Sequence, residues 1–154
     1  MGLQLLERSK RTFSLILPGD DAILKTEIAE YQKYYHELDE SHLTIEGNPW
    51  RILVKPAERH LVAKAQSLSE TSGKEFAELM DNAWFCSELT RVCVYGIDFG
   101  DDEIPPAFGK VMARESGEAV LSREVLNTLG EASHLAIAAL SLKLKVMVEE
   151  VPGK

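Results

Sequence analysis

One stretch constrains the fold of this chain more than any other. Residues 74–96, KEFAELMDNAWFCSELTRVCVYG, begin amphipathic, with Phe76, Leu79, Met80 and Ala83 at helical spacing and Glu78, Asp81 and Asn82 between them. From Trp84 onward the apolar residues spread round the helix: Phe85, Cys86, Leu89, Val92, Cys93, Val94 and Tyr95. A helix apolar nearly all round must be covered by other elements. The pattern predicts one core helix over residues 74–96, with Gly96 in the position after its last turn, where left-handed backbone is common. The other segments then supply layers around it.

The chain has 154 residues, enough to bury a core without disulfides or a structural metal, and it reads as a single domain over residues 1–154. Its 17 basic and 25 acidic residues give a formal charge of −8. Duplex affinity comes from Lys and Arg neutralising phosphates, so this balance argues against a broad nucleic-acid surface. The two cysteines, Cys86 and Cys93, are seven positions apart in the expected helix. That spacing is roughly 10 Å along the axis, and a disulfide needs Cα atoms within about 7 Å. Two free buried thiols suit a reducing compartment. The first residues, MGLQLLERSKRTFS, lack the apolar run of a secretion signal. The most apolar segment, residues 135–148, is short and carries Lys143 and Lys145, so it is no membrane span. The expected location is the cytoplasm.

In chain order, residues 1–11 read as a loose lead-in. Residues 12–17, TFSLIL, form a strand stopped by Pro18-Gly19. Asp20 or Asp21 caps a helix with Ile23, Leu24, Ile28, Tyr31, Tyr35 and Leu38 inward. Residues 42–45 and 50–54 flank EGNP and read as a hairpin. Pro56 suits the first position of a helix burying Leu61, Val62, Ala65 and Leu68. Residues 97–109, IDFGDDEIPPAFG, are the most loop-like part of the chain, and residues 107–114 are expected to form a short helix. Ser122 caps the next helix, which Gly130 ends, and residues 131–142 are an Ala-rich second core helix. The tail LKLKVMVEEV fits a period of two as well as a helix. The expected fold class is α+β: predominantly helical, with a small N-terminal antiparallel sheet in the order β-α-β-β, then a helical bundle.

No catalytic signature emerges. The histidines His36, His42, His60 and His134 form no close pair of the kind zinc sites use. His42 stands in HLT, similar to the His-x-Thr pairs of two-histidine phosphodiesterases, but His134 stands in HLA and lacks the hydroxyl. Asp98, Asp101, Asp102 and Glu103 supply hard oxygen donors, yet their spacing does not match a calcium loop. There is no phosphate-binding glycine loop and no nucleophile elbow. What remains is a candidate contact surface of Trp50, Tyr95, Ile97, Phe99, Ile104 and Phe108, on the expected hairpin and the long loop. Large apolar groups in such a loop are either a plug on the core or anchors for a partner.

The phrases WRILVKPAERHL and LSREVLNTLGEASHLAIAALS, with two helices and a glycine-bearing acidic loop between them, span residues 50–141. In element order and wording this region resembles small proteins encoded in tailed-phage structural gene clusters, above all tail assembly chaperones and allied minor virion proteins. The resemblance implies a non-enzymatic protein with no cofactor. Its partners would be structural proteins of a phage-like particle, or further copies of itself. Two other readings stay open: a small acidic inhibitor or regulator of a host protein, and a small metal-dependent hydrolase using the loop aspartates.

Overall fold

A computed structural model describes residues 13–149. The lead-in expected over residues 1–11 and the last residues of the tail lie outside that span. The fold is α+β and mostly helical. Strands β1 (Phe13–Leu15), β2 (Arg51–Val54) and β3 (Val94–Asp98) form an antiparallel sheet in that order. A separate hairpin pairs β4 (Met112–Glu115) with β5 (Glu118–Leu121). The helices are α1 (Ile28–Glu37), α2 (Arg59–Leu68), α3 (Phe76–Met80), α4 (Ala83–Cys93), α5 (Arg123–Leu129) and α6 (Glu131–Glu149).

The expected helix over residues 74–96 is cut at both ends. Asp81 and Asn82 interrupt it, because their short polar side chains favour caps over helix interiors. Asn82 Oδ1 accepts the Phe85 N–H at 2.9 Å and starts α4 afresh. At the other end Val94, Tyr95 and Gly96 leave the helix and enter β3, where Ile97 opposes Ile52 and Gly96 opposes Leu53. Pairing with β2 outweighs the helical pattern of these β-prone residues.

The expected hairpin over residues 42–54 has only its second strand. Its first half spends backbone groups elsewhere: the Thr44 N–H donates to Thr26 Oγ1, and the Glu46 N–H to the Ala22 carbonyl. His42 instead closes a 3-10 turn over Glu40–His42. The helix expected from Asp20 begins later, at Ile28, so that Leu24 and Ile28 are 73% and 80% exposed rather than inward. Pro56 lies ahead of α2 rather than in it. The helix expected over residues 107–114 is a 3-10 turn, Pro106–Phe108, followed by β4. Ser116 and Gly117, at φ +53° and +81°, join β4 to β5 in the left-handed backbone that a two-residue hairpin turn requires. The tail is helical through Glu149, and Ser122 caps α5 as expected.

Two apolar clusters fill the interior. One lies between the three-stranded sheet, α1 and the inner faces of α5 and α6, around Leu15, Tyr34, Ile52, Val125 and Leu140. The other packs α2, α4 and α6 through Leu61, Ala65, Phe85, Leu89 and Ala138. Helix α6 serves both, with Ile137, Leu140 and Leu144 in the first and Ala138 and Leu142 in the second. Beyond the end of β1, the Tyr31 hydroxyl donates to the Ile16 carbonyl and the Ile16 N–H donates to the Tyr34 hydroxyl. These two bonds satisfy strand groups that have no neighbouring strand among the described residues. Burial pushes the Tyr31, Tyr34 and Tyr35 phenols above their ordinary range.

Candidate functional site

The six candidate contact residues divide into a buried base and two outward groups. Trp50, Phe99 and Phe108 meet edge to face, with ring centroids 4.8, 5.5 and 5.8 Å apart. Such pairs add about 0.5–1.5 kcal/mol beyond area burial. Phe99 and Phe108 are only 8% and 4% exposed and belong to the sheet-side core, with Trp50 and Ile97 packed against it. The loop therefore plugs the core through its aromatic rings. Tyr95 and Ile104 are 39% and 57% exposed.

The loop is fixed by local chemistry. The Trp50 indole N–H donates to Asp102 Oδ2 at 2.8 Å, and Asp98 Oδ1 accepts the Gly100 N–H. Gly100 has φ +62°, and a Cβ there would stand 2.7 Å from the Asn48 carbonyl oxygen. Only glycine fits that approach. Pro105 and Pro106 then lead into the turn that delivers Phe108. Beside this loop an open acidic groove of about 490 Å³ is lined by Asp20, Asp21, Glu46, Trp50 and Asp102. Three of its carboxylates are already engaged: Asp102 with the Trp50 indole, Glu46 with Lys25 at 2.7 Å, and Asp20 with the Ala22 N–H at 2.8 Å. Among the described residues no three His, Cys, Asp or Glu side chains are arranged to hold a metal ion.

The histidines of the two-histidine pattern have different surroundings. His42 Nε2 stands 2.8 Å from Glu37. His134 is buried, with Nε2 2.6 Å from the Leu126 carbonyl and Nδ1 2.9 Å from Ser87 Oγ. A carbonyl only accepts, so Nε2 carries the proton and the Ser87 hydroxyl donates to Nδ1. A Ser–His pair of this kind is the core of a nucleophilic site. Here Ser87 lies in the middle of α4, where the neighbouring backbone N–H groups are spent on the helix instead of forming an oxyanion hole. The pair ties α4 to α5 and α6. On its outer side an open groove of about 380 Å³ runs between the α3–α4 break and the start of α6.

Sequence reasoning missed a buried charge cluster. Glu88 and Arg91 are 2% and 3% exposed, three positions apart on the apolar part of α4. Arg91 donates its Nε–H to the Leu121 carbonyl at 3.0 Å and an Nη2–H to Glu115 Oε2 at 2.6 Å. Glu88 Oε1 accepts from Arg123 at 3.1 Å, while Glu88 Oε2 has no hydrogen bond among the described residues and lies 3.7 Å from Arg91 Nη1. The cluster links α4 to the β4–β5 hairpin and α5. Its signal was present: opposite charges at i and i+3 inside a stretch apolar on every side. Arg91 holds the Glu115 carboxyl below its ordinary range. Cys86 and Cys93 are free and buried, and burial raises both thiols, Cys93 to about 12.

Among the described residues no single helix is long and apolar enough to cross a membrane; α5 with α6 passes only as a pair bent by 105°. Comparison with models of protein families, with curated proteins and with solved structures finds no match for this chain.

Proposed function

We propose that this protein works by protein–protein contact and catalyses no reaction. It would serve as an assembly factor or minor structural component of a phage-like particle, of the tail assembly chaperone type. The particle setting comes from the resemblance over residues 50–141. The observation that supports contact is Ile104, an apolar tip 57% exposed on a loop whose base is locked by Trp50, Phe99 and Phe108. A loop held rigid before binding loses little entropy on binding, and an apolar anchor that follows Asp101, Asp102 and Glu103 in the chain has the make-up of an interface centre. The partners would be structural proteins of the particle or further copies of the chain. With two free thiols, the protein would act in the host cytoplasm.

The test is mass spectrometry of what co-purifies with the chain from its native source, repeated with Ile104→Asp. The expected result is a stoichiometric particle protein, or the chain itself, lost in the variant while the melting temperature holds. Recovery of the same complex with both forms would remove the loop from the reading. Absence of any complex would remove the reading itself. The acidic-regulator reading draws support from the groove of Asp20, Asp21, Glu46 and Asp102. It would be preferred if the recovered partner were a basic host protein.

A further inference from the structure

The groove between the α3–α4 break and the first turns of α6 differs in character from the aromatic loop. Its walls carry Met80 and Ala83 on one side and Ala132 and Leu135 on the other, with Asp81 and Glu131 among them. Leu135 is 49% exposed, whereas Ile137, Ala138 and Leu140, just beyond it on α6, are fully buried. Among the described residues nothing covers the exposed half of this side chain.

We infer that this groove is a docking site for a basic amphipathic helix of a partner protein. The occupant's charge follows from the lining. Asp81 and Glu131 form no ion pair among the described residues, and no Lys or Arg lines the groove. A partner that buries apolar side chains against Met80 and Leu135 brings its flanking residues beside two carboxylates, where Lys or Arg is attracted and Asp or Glu repelled. A second copy presenting this same face would set acid against acid. The negative field of Asp81 also reaches the floor, where it adds to burial in raising the Cys86 thiol.

The occupant's shape follows from the walls. They are helices, so the groove offers ridges for a third helix and no free strand edge for an extended peptide. The Ser87–His134 hydrogen bond at 2.9 Å and the Thr90 hydroxyl on the His134 carbonyl at 3.1 Å fix α6 against α4. The groove is thereby held open before any partner arrives. It is separate from the Ile104 loop, and the inference stands whether or not that loop binds.

The experiment is an amide chemical-shift titration of the full chain with two synthetic peptides of roughly 18 residues, long enough for appreciable helix. One carries leucines at helical spacing with lysines between them; the other has glutamates in place of the lysines. The expected result is shifts from the Leu/Lys peptide centred on Met80, Ala83, Ala132 and Leu135. The double variant Asp81→Lys/Glu131→Lys should weaken that peptide by about tenfold or more and begin to bind the Leu/Glu peptide. Leu135→Asp should abolish binding by either peptide while melting near the parent temperature. Shifts centred on Asp20, Asp21 and Glu46, or affinity unchanged by the double variant, would overturn the inference. So would absence of binding. Concentration-dependent shifts at the same four residues without peptide would also overturn it, in favour of a second copy.

Discussion

The aromatic loop and the helical groove are both rich in large apolar residues, yet Phe99 and Phe108 leave only 8% and 4% of their surface exposed while Leu135 leaves 49%. The difference is one of connection. In the loop, one run of chain carries both phenylalanines, and Gly100 and the Pro105-Pro106 turn fold it onto Trp50, so the protein fills its own gap. The groove lies between helices already spaced by Ser87, Thr90 and His134, and among the described residues no segment fills it. Apolar composition alone therefore does not mark an interface. A rigid frame with nothing to close it does.

The sharpest way to break this comparison is Phe99→Ala. A plug should lose about 3–5 kcal/mol of stability, measured by urea unfolding, because the cavity has no local means of collapsing. Unchanged stability would mean that the ring is not part of the core. Next in size is Arg91→Ala, which removes the bonds to Leu121 and Glu115 and leaves the buried Glu88 carboxylate with Arg123 alone; it should cost about 3 kcal/mol. Adding Glu88→Gln to Arg91→Ala should recover part of that loss, and no recovery would show that Arg91 acts through Leu121, Glu115 and packing, not through Glu88.

The same cluster predicts a modest pH effect. Glu115 has a folded pKa depressed by Arg91, so its contribution to stability is complete above the ordinary Glu value and fades as pH falls through the lower folded value. Melting temperatures from about pH 6 to about pH 3 should fall more steeply for the parent than for Glu115→Gln. Parallel curves would contradict the link. The smallest effect belongs to the groove: Leu135→Ala should change stability by no more than about 0.5 kcal/mol. A larger loss would mean that the groove is filled in solution.

Much of the fold was legible in the sequence, for reasons that also explain the misses. Ser122 and the apolar pattern after Gly130 gave α5 and α6, because caps and helical periodicity are local signals. The break at Asp81-Asn82 was equally local, and was hidden by reading the apolar spacing through it. Val94 to Gly96 were not decidable locally, since only pairing with β2 makes them a strand. The Ser116-Gly117 turn is a local signal, but the residues on either side of it follow no clear period. In the candidate site, residue type marked Trp50, Phe99 and Ile104 equally. Which of them turned inward depended on Asn48 and Asp102, contacts across more than fifty residues for which sequence spacing carries no trace.

The division of α6 between two clusters bears on how the protein is made. Ile137, Leu140 and Leu144 complete one cluster, and Ala138 and Leu142 the other, so neither is whole until these late residues have left the ribosome. Until then the nascent chain holds the apolar faces of the sheet, α2 and α4 without their shared cover. Those faces are closed when α6 docks, in a single step that completes both clusters at once.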